Sequence, residues 1–146
     1  MNNKKGGVIE QCRRNAVALI SIVIAVSSLS YNTWRNEETE ENRNLRLASF
    51  EVLLKLNELQ QVIFHSYYDK DSVDKGNPRT GWAHVLTVRD LSRILHPPLP
   101  KAADELLTVW GDNWKGLDEK QSNLDLIMAE IDNVRSETLL LLDSLE

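Results

Sequence analysis

The feature that most constrains this chain is a stretch of twenty residues without a charged side chain, from Asn15 to Trp34. A helix of that length rises about 30 Å, at roughly 1.5 Å per residue, which matches the hydrocarbon thickness of a bilayer. The sequence therefore predicts a transmembrane anchor over residues 15–34. The anchor side chains are Ala16, Leu19, Ile20, Ile22, Val23 and Ile24, followed at the expected interface by the amphipathic rings of Tyr31 and Trp34.

The flanks of this stretch predict its orientation. It is preceded by four basic side chains, Lys4, Lys5, Arg13 and Arg14, and it is followed by an acidic run. Short segments rich in Lys and Arg stay on the cytoplasmic side, so residues 1–14 are expected to form a cytoplasmic tail. Residues 35–146 would then lie outside the cytoplasm, and the protein would be an integral, single-pass membrane protein.

A cleaved signal peptide is the alternative to an anchor. Its apolar core would be Ala16 to Ile24, and Ala25-Val26-Ser27 would supply a cleavage site of small residues. The uncharged stretch, however, continues for about seven residues past that site and ends in interfacial aromatic rings. Those two features favour the anchor.

Small residues follow one face of the predicted membrane helix. They are Ala18, Ser21, Ala25 and Ser28, at steps of three, four and three. Such a face lets two membrane helices approach closely, so it is a candidate surface for self-association.

Helical periodicity dominates residues 35–146, which suffice for one domain with a modest core. Apolar residues recur at steps of three and four, while glycine and proline are sparse. The predicted helices cover about 35–68, 80–95, 100–114 and 117–145. Two long and two short amphipathic helices most simply close into an antiparallel four-helix bundle, so the predicted fold class is all-α. The C-terminus would then return towards the membrane.

The last predicted helix has the clearest repeat, in near-heptad register from Leu117 to Leu145. A heptad stripe packs inside a bundle or forms a coiled coil with another subunit. Leu139 to Leu142 are four consecutive leucines, more than one helix face buries against a single neighbour. We expect at least one of them to contact a partner, a second copy or the membrane surface. The alternative is a contact with the aromatic collar of the same chain.

Motifs for catalysis or metal binding are weak. Asp69 to Gly76 resembles a calcium loop only in its first and third positions, and Thr80 stands where a bidentate Glu belongs. The three histidines are His65, His84 and His96, and their spacing does not put two ligands on one helix face. His65 and His84 flank the same loop and would have to meet across two helices. We therefore expect no metal, no cofactor and no enzymatic activity.

Cysteine and charge exclude further classes. The only cysteine, Cys12, precedes the predicted anchor, so residues 35–146 are expected to have neither disulfides nor a Cys-based zinc site. The net charge is −5 although the first residues are basic, so the exported part is acidic. An acidic domain matches nucleic acid poorly, because that affinity depends on neutralising phosphates.

Aromatic and arginine side chains give the one hint of a site. They are Trp82, Trp110 and Trp114, with Arg79 and Arg89 close by in the sequence. Tryptophan and arginine are typical of recognition surfaces, and Trp110 and Trp114 are four residues apart, as on one helix face. In one interpretation these residues form a recognition patch, with an arginine for an acidic ligand or partner. In the other, the rings cap the bundle core.

Two segments resemble known sequences. Residues 31–46, from Tyr31-Asn32-Thr33-Trp34 to Asn44-Leu45-Arg46, are similar to short, membrane-anchored helical proteins of Gram-negative bacteria, and so is His65-Ser66-Tyr67-Tyr68-Asp69. The resemblance implies a bacterial inner membrane with a periplasmic domain, and it implies no activity. The architecture also resembles the helical sensing domains of chemoreceptors. Since no second span or signalling module follows, we expect a different role from those receptors.

Two functional hypotheses remain. The first is a non-enzymatic interaction protein whose exported bundle binds an envelope protein or a second copy of itself. The alternative is a bundle that senses a small molecule and signals through a partner membrane protein. An exposed apolar stripe on the last helix would favour the first, and an internal pocket lined by Trp82, Trp110 and Arg89 would favour the second.

Overall fold

The structure is a computed structural model that describes residues 5–145. It is 85% helical, with no strand among the residues described, so the all-α prediction is confirmed. The elements are α1 (Lys5–Tyr67), α2 (Pro78–Ser92), α3 (Leu99–Asn113), a 3-10 helix (Trp114–Gly116) and α4 (Gln121–Ser144). Lys4 and the side chains of Lys5 and Cys12 lie outside what the structure describes.

The chain divides into two compact units, Met1–Glu41 and Asn42–Glu146. In the first unit, none of the side chains that the structure describes is buried. The second unit contains the hydrophobic core, which begins at Leu45. The acidic run after residue 35 belongs to α1, since no proline or glycine occurs between Val8 and Lys75 to end a helix.

The core of the second unit is built from one face of each helix. Apolar residues at steps of three and four are buried there, as the periodicity predicts. They are Leu45, Ala48, Val52, Leu56, Leu59 and Ile63 from α1, Val85 and Val88 from α2, Leu99, Ala102, Ala103, Leu106 and Trp110 from α3, and Leu124, Ile127, Ile131 and Val134 from α4. Leu95 and Leu117 add to the core from the connections.

The end of α1 is closed by a left-handed residue. Lys70 has a φ of 55°, and the Asp71 N–H donates to the His65 carbonyl at 3.1 Å. The left-handed residue directly before Asp71 lets the chain turn away from the end of the helix.

The second helix begins earlier than the sequence interpretation placed it. We expected the helix to begin at about Thr80, because Asn77-Pro78 resembles a helix break. Instead Asn77 is the N-cap of α2: its Oδ1 accepts a hydrogen bond from the Arg79 N–H at 3.0 Å. Pro78 occupies the first helical position, where its missing N–H costs nothing.

The last helix begins later than expected, at Gln121 rather than at about Leu117. The 3-10 helix and a turn come first, and the Lys120 N–H donates to the Gly116 carbonyl at 3.0 Å. The Asn123 side chain donates to the Asn113 carbonyl at 3.0 Å, which satisfies the C-terminal end of α3. Leu117 is nevertheless fully buried, because an apolar residue in a turn can also fill the core.

Side-chain hydrogen bonds connect α1 with α4 along the second unit. The Tyr67 hydroxyl donates to Gln121 Oε1 at 2.5 Å. The Arg135 guanidinium donates to Asn57 Oδ1 at 2.7 Å and to Gln60 Oε1 at 2.9 Å. These bonds link side chains more than fifty residues apart in sequence.

Candidate functional site

The three tryptophans of the predicted patch do meet in the structure. The Trp82 ring lies edge-on to Trp110 at 6.5 Å and to Trp114 at 6.2 Å, measured between ring centroids. Edge-to-face pairs of this kind stabilise packing beyond the area they bury. Trp110, however, is fully buried, whereas Trp82 and Trp114 are partly exposed. Trp110 therefore belongs to the core rather than to an exposed recognition patch.

The space around Trp110 is filled. Gly81 of α2 packs directly on its ring, and a Cβ added at Gly81 would lie 2.3 Å from the ring carbons Cη2 and Cζ2. The same Cβ would lie 3.3 Å from Leu59 Cδ1. The Trp110 indole N–H is buried with no hydrogen-bond partner. This close packing leaves no room for a ligand between Trp110 and Gly81.

The two arginines of the predicted patch differ in their surroundings. The Arg89 guanidinium donates to Asp90 Oδ1 from Nη2 at 2.7 Å and from Nε at 3.0 Å, so its charge is already compensated. Arg79 is exposed at the start of α2. The sequence interpretation missed a cation beside the tryptophan cluster: the Lys115 ammonium lies 5.7 Å from the Trp114 ring centroid. Of the predicted patch, only Arg79 is exposed, while Trp82, Arg89 and Trp114 are only partly exposed.

The loop with the calcium-like spacing is held by its own backbone. The Asp71 carboxylate accepts hydrogen bonds from the N–H groups of Asp74 at 2.9 Å, Lys75 at 3.1 Å and Val73 at 3.2 Å. These bonds, that from Asp74 first, hold the pKa of Asp71 below its usual value. The Lys70 ammonium donates to the Asp118 carbonyl at 2.5 Å, which joins the loop to the turn before α4. Asp71 thus acts as a structural cap of this loop.

Two histidines flank this loop, and each pairs with a different carboxylate. His65 Nδ1 lies 2.6 Å from Asp69 Oδ2, and His84 Nδ1 lies 3.2 Å from Glu58 Oε2. Burial lowers the pKa of His84, although the charge of Glu58 acts in the opposite direction. Within the described residues, no three His, Cys, Asp or Glu side chains are grouped as metal ligands would be.

Glu58 has a second partner, Lys55. The Lys55 ammonium lies 2.7 Å from Glu58 Oε2, and this hydrogen bond raises the pKa of Lys55 and lowers that of Glu58. Both side chains are one helical turn apart on α1, a spacing typical of surface ion pairs. Lys55, Glu58 and His84 thus form a small cluster of titratable side chains between α1 and α2.

The predicted anchor is a row of exposed apolar side chains in the first unit. Its helix contains an 18-residue window that is long and apolar enough to cross a membrane, and none of that window is buried. The rings of Tyr31 and Trp34 lie 6.1 Å apart at its end. Among the small residues, the Ser21 hydroxyl donates to the Val17 carbonyl of its own helix at 2.8 Å. That local bond satisfies the hydroxyl without a partner helix.

The second unit carries an apolar surface that the sequence interpretation missed. Five exposed side chains lie along α1 and its C-terminal turn, and we call them the outer stripe: Leu47, Phe50, Leu54, Phe64 and Tyr68. On α4, Leu139 and Leu140 are also exposed, while Leu141 and Leu142 are partly buried. The signal in the sequence was a second set of apolar residues on the first helix, out of phase with the core positions.

Known protein families, curated proteins and solved structures contain no match to this chain. The resemblance of residues 31–46 to membrane-anchored bacterial proteins stays a prediction. Two exposed apolar surfaces are therefore the main observations that bear on function: the anchor segment and the outer stripe.

Proposed function

We propose that this protein is a non-enzymatic interaction protein of the bacterial inner membrane, anchored by residues 15–34. Its exported domain binds an envelope protein or a second copy of itself. The observation that carries the proposal is the anchor segment, in which the side chains of an uncharged, apolar helix are all left outside any core.

The energetics of the anchor segment support insertion in a membrane. Leu19, Ile20, Ile22, Val23 and Ile24 are each more than half exposed. Burying such a side chain stabilises it by about 1.5–3 kcal/mol relative to water. The helix satisfies its own backbone hydrogen bonds, which a hydrocarbon core requires. The adjacent rings of Tyr31 and Trp34 have the chemistry that favours the interface.

Charge supports the orientation with the N-terminus inside. Arg13 and Arg14 immediately precede the segment and Arg35 alone follows it before four glutamates. A short basic flank is retained on the cytoplasmic side, so residues 35–146 are exported in this proposal.

The exported part is proposed to be an antiparallel four-helix bundle. Contacts between α1 and α4 support this arrangement, because residue numbers rise along one helix as they fall along the other. Tyr67 pairs with Gln121, Gln60 with Arg135, and the Arg46 guanidinium with the Leu145 carbonyl. From the first pair to the last, the residue number falls along α1 and rises along α4, as in an antiparallel alignment.

The charged groups of the second unit support binding rather than catalysis. Asp71 caps its own loop, and the Glu58 carboxylate pairs with the Lys55 ammonium and lies beside His84 of α2. These are structural uses of titratable side chains. The outer stripe, in contrast, offers apolar surface of the kind that marks interaction sites.

Protease accessibility in spheroplasts tests the proposal. The full-length chain carries a C-terminal tag, and both protection and apparent size of the membrane-bound protein are measured. We expect full-length protein in the membrane fraction and digestion of the tag from outside. A tag that is protected in intact spheroplasts but digested after lysis would place the domain in the cytoplasm and refute the orientation. A shortened, freely released product would identify residues 15–34 as a cleaved signal.

A charge substitution in the anchor, with a matched control in a loop, tests the membrane segment directly. Ile22→Arg places a charge at the centre of the apolar stretch, where it costs about 2.5–3.5 kcal/mol on insertion scales. Val73→Arg, at another exposed apolar residue, lies in the loop after α1. We expect the first variant to reduce the membrane-bound fraction and the second to leave it unchanged.

A further inference from the structure

The outer stripe lies on the side of α1 that faces away from the core. Leu47 is 61% exposed, Phe50 58% and Leu54 49%, whereas Val52 and Leu56 on the same helix are fully buried. At 3.6 residues per turn, the stripe and the buried residues are on opposite sides of the helix. Phe64 and Tyr68 continue the stripe, and their rings meet edge-on at 5.8 Å. One helix of the second unit therefore presents two apolar faces.

The spacing of the outer stripe is that of a coiled-coil seam. Alternating steps of three and four from Leu47 give Leu47, Phe50, Leu54, Asn57, Gln61, Phe64 and Tyr68. Such a repeat of 3.5 residues keeps seven positions on a line that another helix can follow. The seam is apolar at both ends and carries two amides in the middle.

The amides indicate what kind of surface completes this seam. Asn57 and Gln61 are both exposed and occupy two seam positions, and Asn57 Oδ1 already accepts a hydrogen bond from Arg135. Lipid or a wholly apolar partner would leave their amide N–H donors unpaired at a cost of roughly 1–3 kcal/mol each. A second copy in the same register instead sets amide against amide. Polar residues at such positions fix the register and the number of strands in coiled coils.

Charges beside the seam favour a parallel pair. Arg46 directly precedes Leu47, and Glu51 directly follows Phe50. In a parallel coiled coil these flanking positions, five residues apart, face each other across the two strands. Arg46 donates to the Leu145 carbonyl of its own copy, and Glu51 lies 3.7 Å from the Lys55 ammonium. In the pair, Arg46 of one copy would also meet Glu51 of the other, twice by symmetry.

The exposed area fits an interface between two copies. The three aromatic side chains bury roughly 150–250 Å² each when fully covered, and the two leucines bury somewhat less. The five are exposed by about half, which gives on the order of 500 Å² of apolar surface per copy. A stable interface covers about 800 Å² per partner, including its polar rim. The outer stripe alone therefore supplies more than half of the area that a stable interface needs per partner, and flanking polar residues would form its rim.

We propose that α1 forms a parallel, two-stranded coiled coil with α1 of a second copy through the outer stripe. The inference rests on the proposed function in one respect: two copies anchored by the same end are held parallel. The partner is a second copy of this chain, and the contact is formed by residues 47–68.

Disulfide crosslinking of the full-length protein in membranes tests the pairing. In a Cys12→Ser background, single cysteines replace Leu47, Leu54 or, as the control, Leu126. Leu126 is 52% exposed on α4, which matches Leu54. A disulfide requires the two Cα atoms to lie within about 7 Å. We expect disulfide-linked dimers from Leu47→Cys and Leu54→Cys, in several-fold greater yield than from Leu126→Cys.

The position of Leu47 also reports the orientation. In a parallel pair it lies beside its equivalent, whereas an antiparallel pair centred on Asn57 separates the two by about 30 Å. Crosslinking only in a mixture of Leu47→Cys and Tyr68→Cys chains would therefore overturn the parallel arrangement. Yields at Leu47 and Leu54 no higher than at Leu126 would overturn the pairing itself.

A charge in the seam provides an independent readout. Leu54→Glu, introduced into the Leu47→Cys chain, should lower the crosslinked yield by about tenfold, since an apolar seam position then holds a carboxylate. Leu126→Glu in the same chain should leave the yield unchanged. Equal yields in both variants would overturn the role of the outer stripe, for example if membrane helices alone hold the copies together.

The two proposals fail in different ways. Protease digestion of the same samples reports anchoring and export without any cysteine. Dimers crosslinked at Leu47 in a chain whose domain is cytoplasmic would overturn the proposed function and keep the seam. An exported, anchored chain without such dimers would overturn the seam alone.

Discussion

Replacement of Gly81 by alanine should destabilise the second unit, although alanine is the better helix former. Gly81 lies inside α2, and a Cβ there would lie 2.3 Å from two carbons of the buried Trp110 ring. Real Cβ contacts are longer, so the ring or the helix must shift. The Trp110 ring is fully buried and cannot rotate into solvent. Steric overlap and helix propensity therefore act in opposite directions at this residue.

The overlap is the larger of the two effects. Overpacking of a well-filled core costs about 1–3 kcal/mol in stability. A Cβ only 2.3 Å from the ring carbons corresponds to the upper part of that range. In a helix interior, the change from Gly to Ala by itself stabilises the helix by about 1 kcal/mol. The expected net loss is therefore about 1–2 kcal/mol in the free energy of unfolding. For a domain of roughly 100 residues, each kcal/mol lowers Tm by about 4–8 °C.

Gly111 provides a matched control in the neighbouring helix. It lies inside α3, and a Cβ there would be 3.6 Å from Trp82 Cη2, an ordinary van der Waals distance. Gly111→Ala should therefore stabilise the protein by about 0.4–1 kcal/mol, through helix propensity and a less flexible unfolded chain. The same amino-acid change thus has opposite signs at Gly81 and Gly111.

The assay is thermal unfolding of the full-length protein in detergent, followed by circular dichroism and tryptophan fluorescence. A double-mutant cycle identifies the cause: Trp110→Phe removes the ring carbons that overlap, so Gly81→Ala should be neutral or stabilising in that background. If Gly81→Ala raises Tm in the wild-type background as Gly111→Ala does, the close packing of α2 on Trp110 is refuted.

Three further predictions concern the second unit. Ile131→Asp should abolish the cooperative helical melt, because an unpaired carboxylate in the core costs several kcal/mol, whereas Leu126→Asp on the exposed side of α4 should change Tm little. Asn77→Ala removes the side-chain cap of α2 and should lower the free energy of unfolding by about 1 kcal/mol in chemical denaturation. Burial lowers the pKa of His84 below its ordinary 6.5, so the unfolded chain binds the proton more readily. The stability present above pH 6.5 should therefore decrease as the pH falls through 6.5, and His84→Gln should flatten that part of the profile; an unchanged profile would contradict a buried, neutral imidazole.

The sequence predicts the helices and most of their core faces well, because apolar periodicity is a local consequence of which side meets water. Val52, Leu56, Ile127 and Ile131 are buried as their spacing predicts. Helix ends are less predictable. Asn77-Pro78 is compatible with both a break and a helix start, and only the bond from the Arg79 N–H to Asn77 decides between them.

The different burial of Trp110 and Trp114 could not be predicted from the sequence, for a geometric reason. Trp110 and Trp114 are four residues apart, which suggests one helix face. But α3 ends at Asn113, and Trp114 begins a 3-10 helix with fewer residues per turn. The two rings therefore differ in burial, and only contacts with Trp82 on another helix bring them together.

The outer stripe escaped prediction because α1 carries two apolar faces, and periodicity alone does not identify which face the rest of the chain covers. The two faces can be tested separately. Gly81→Ala acts on the core of each copy and should lower Tm without changing the crosslinked fraction of molecules that remain folded. Leu54→Glu acts on an exposed position and should reduce crosslinking at Leu47→Cys, while the melt of the separated chains stays the same. If either substitution changes both quantities, the two faces of α1 are coupled, and the second copy contributes to the stability of the fold itself.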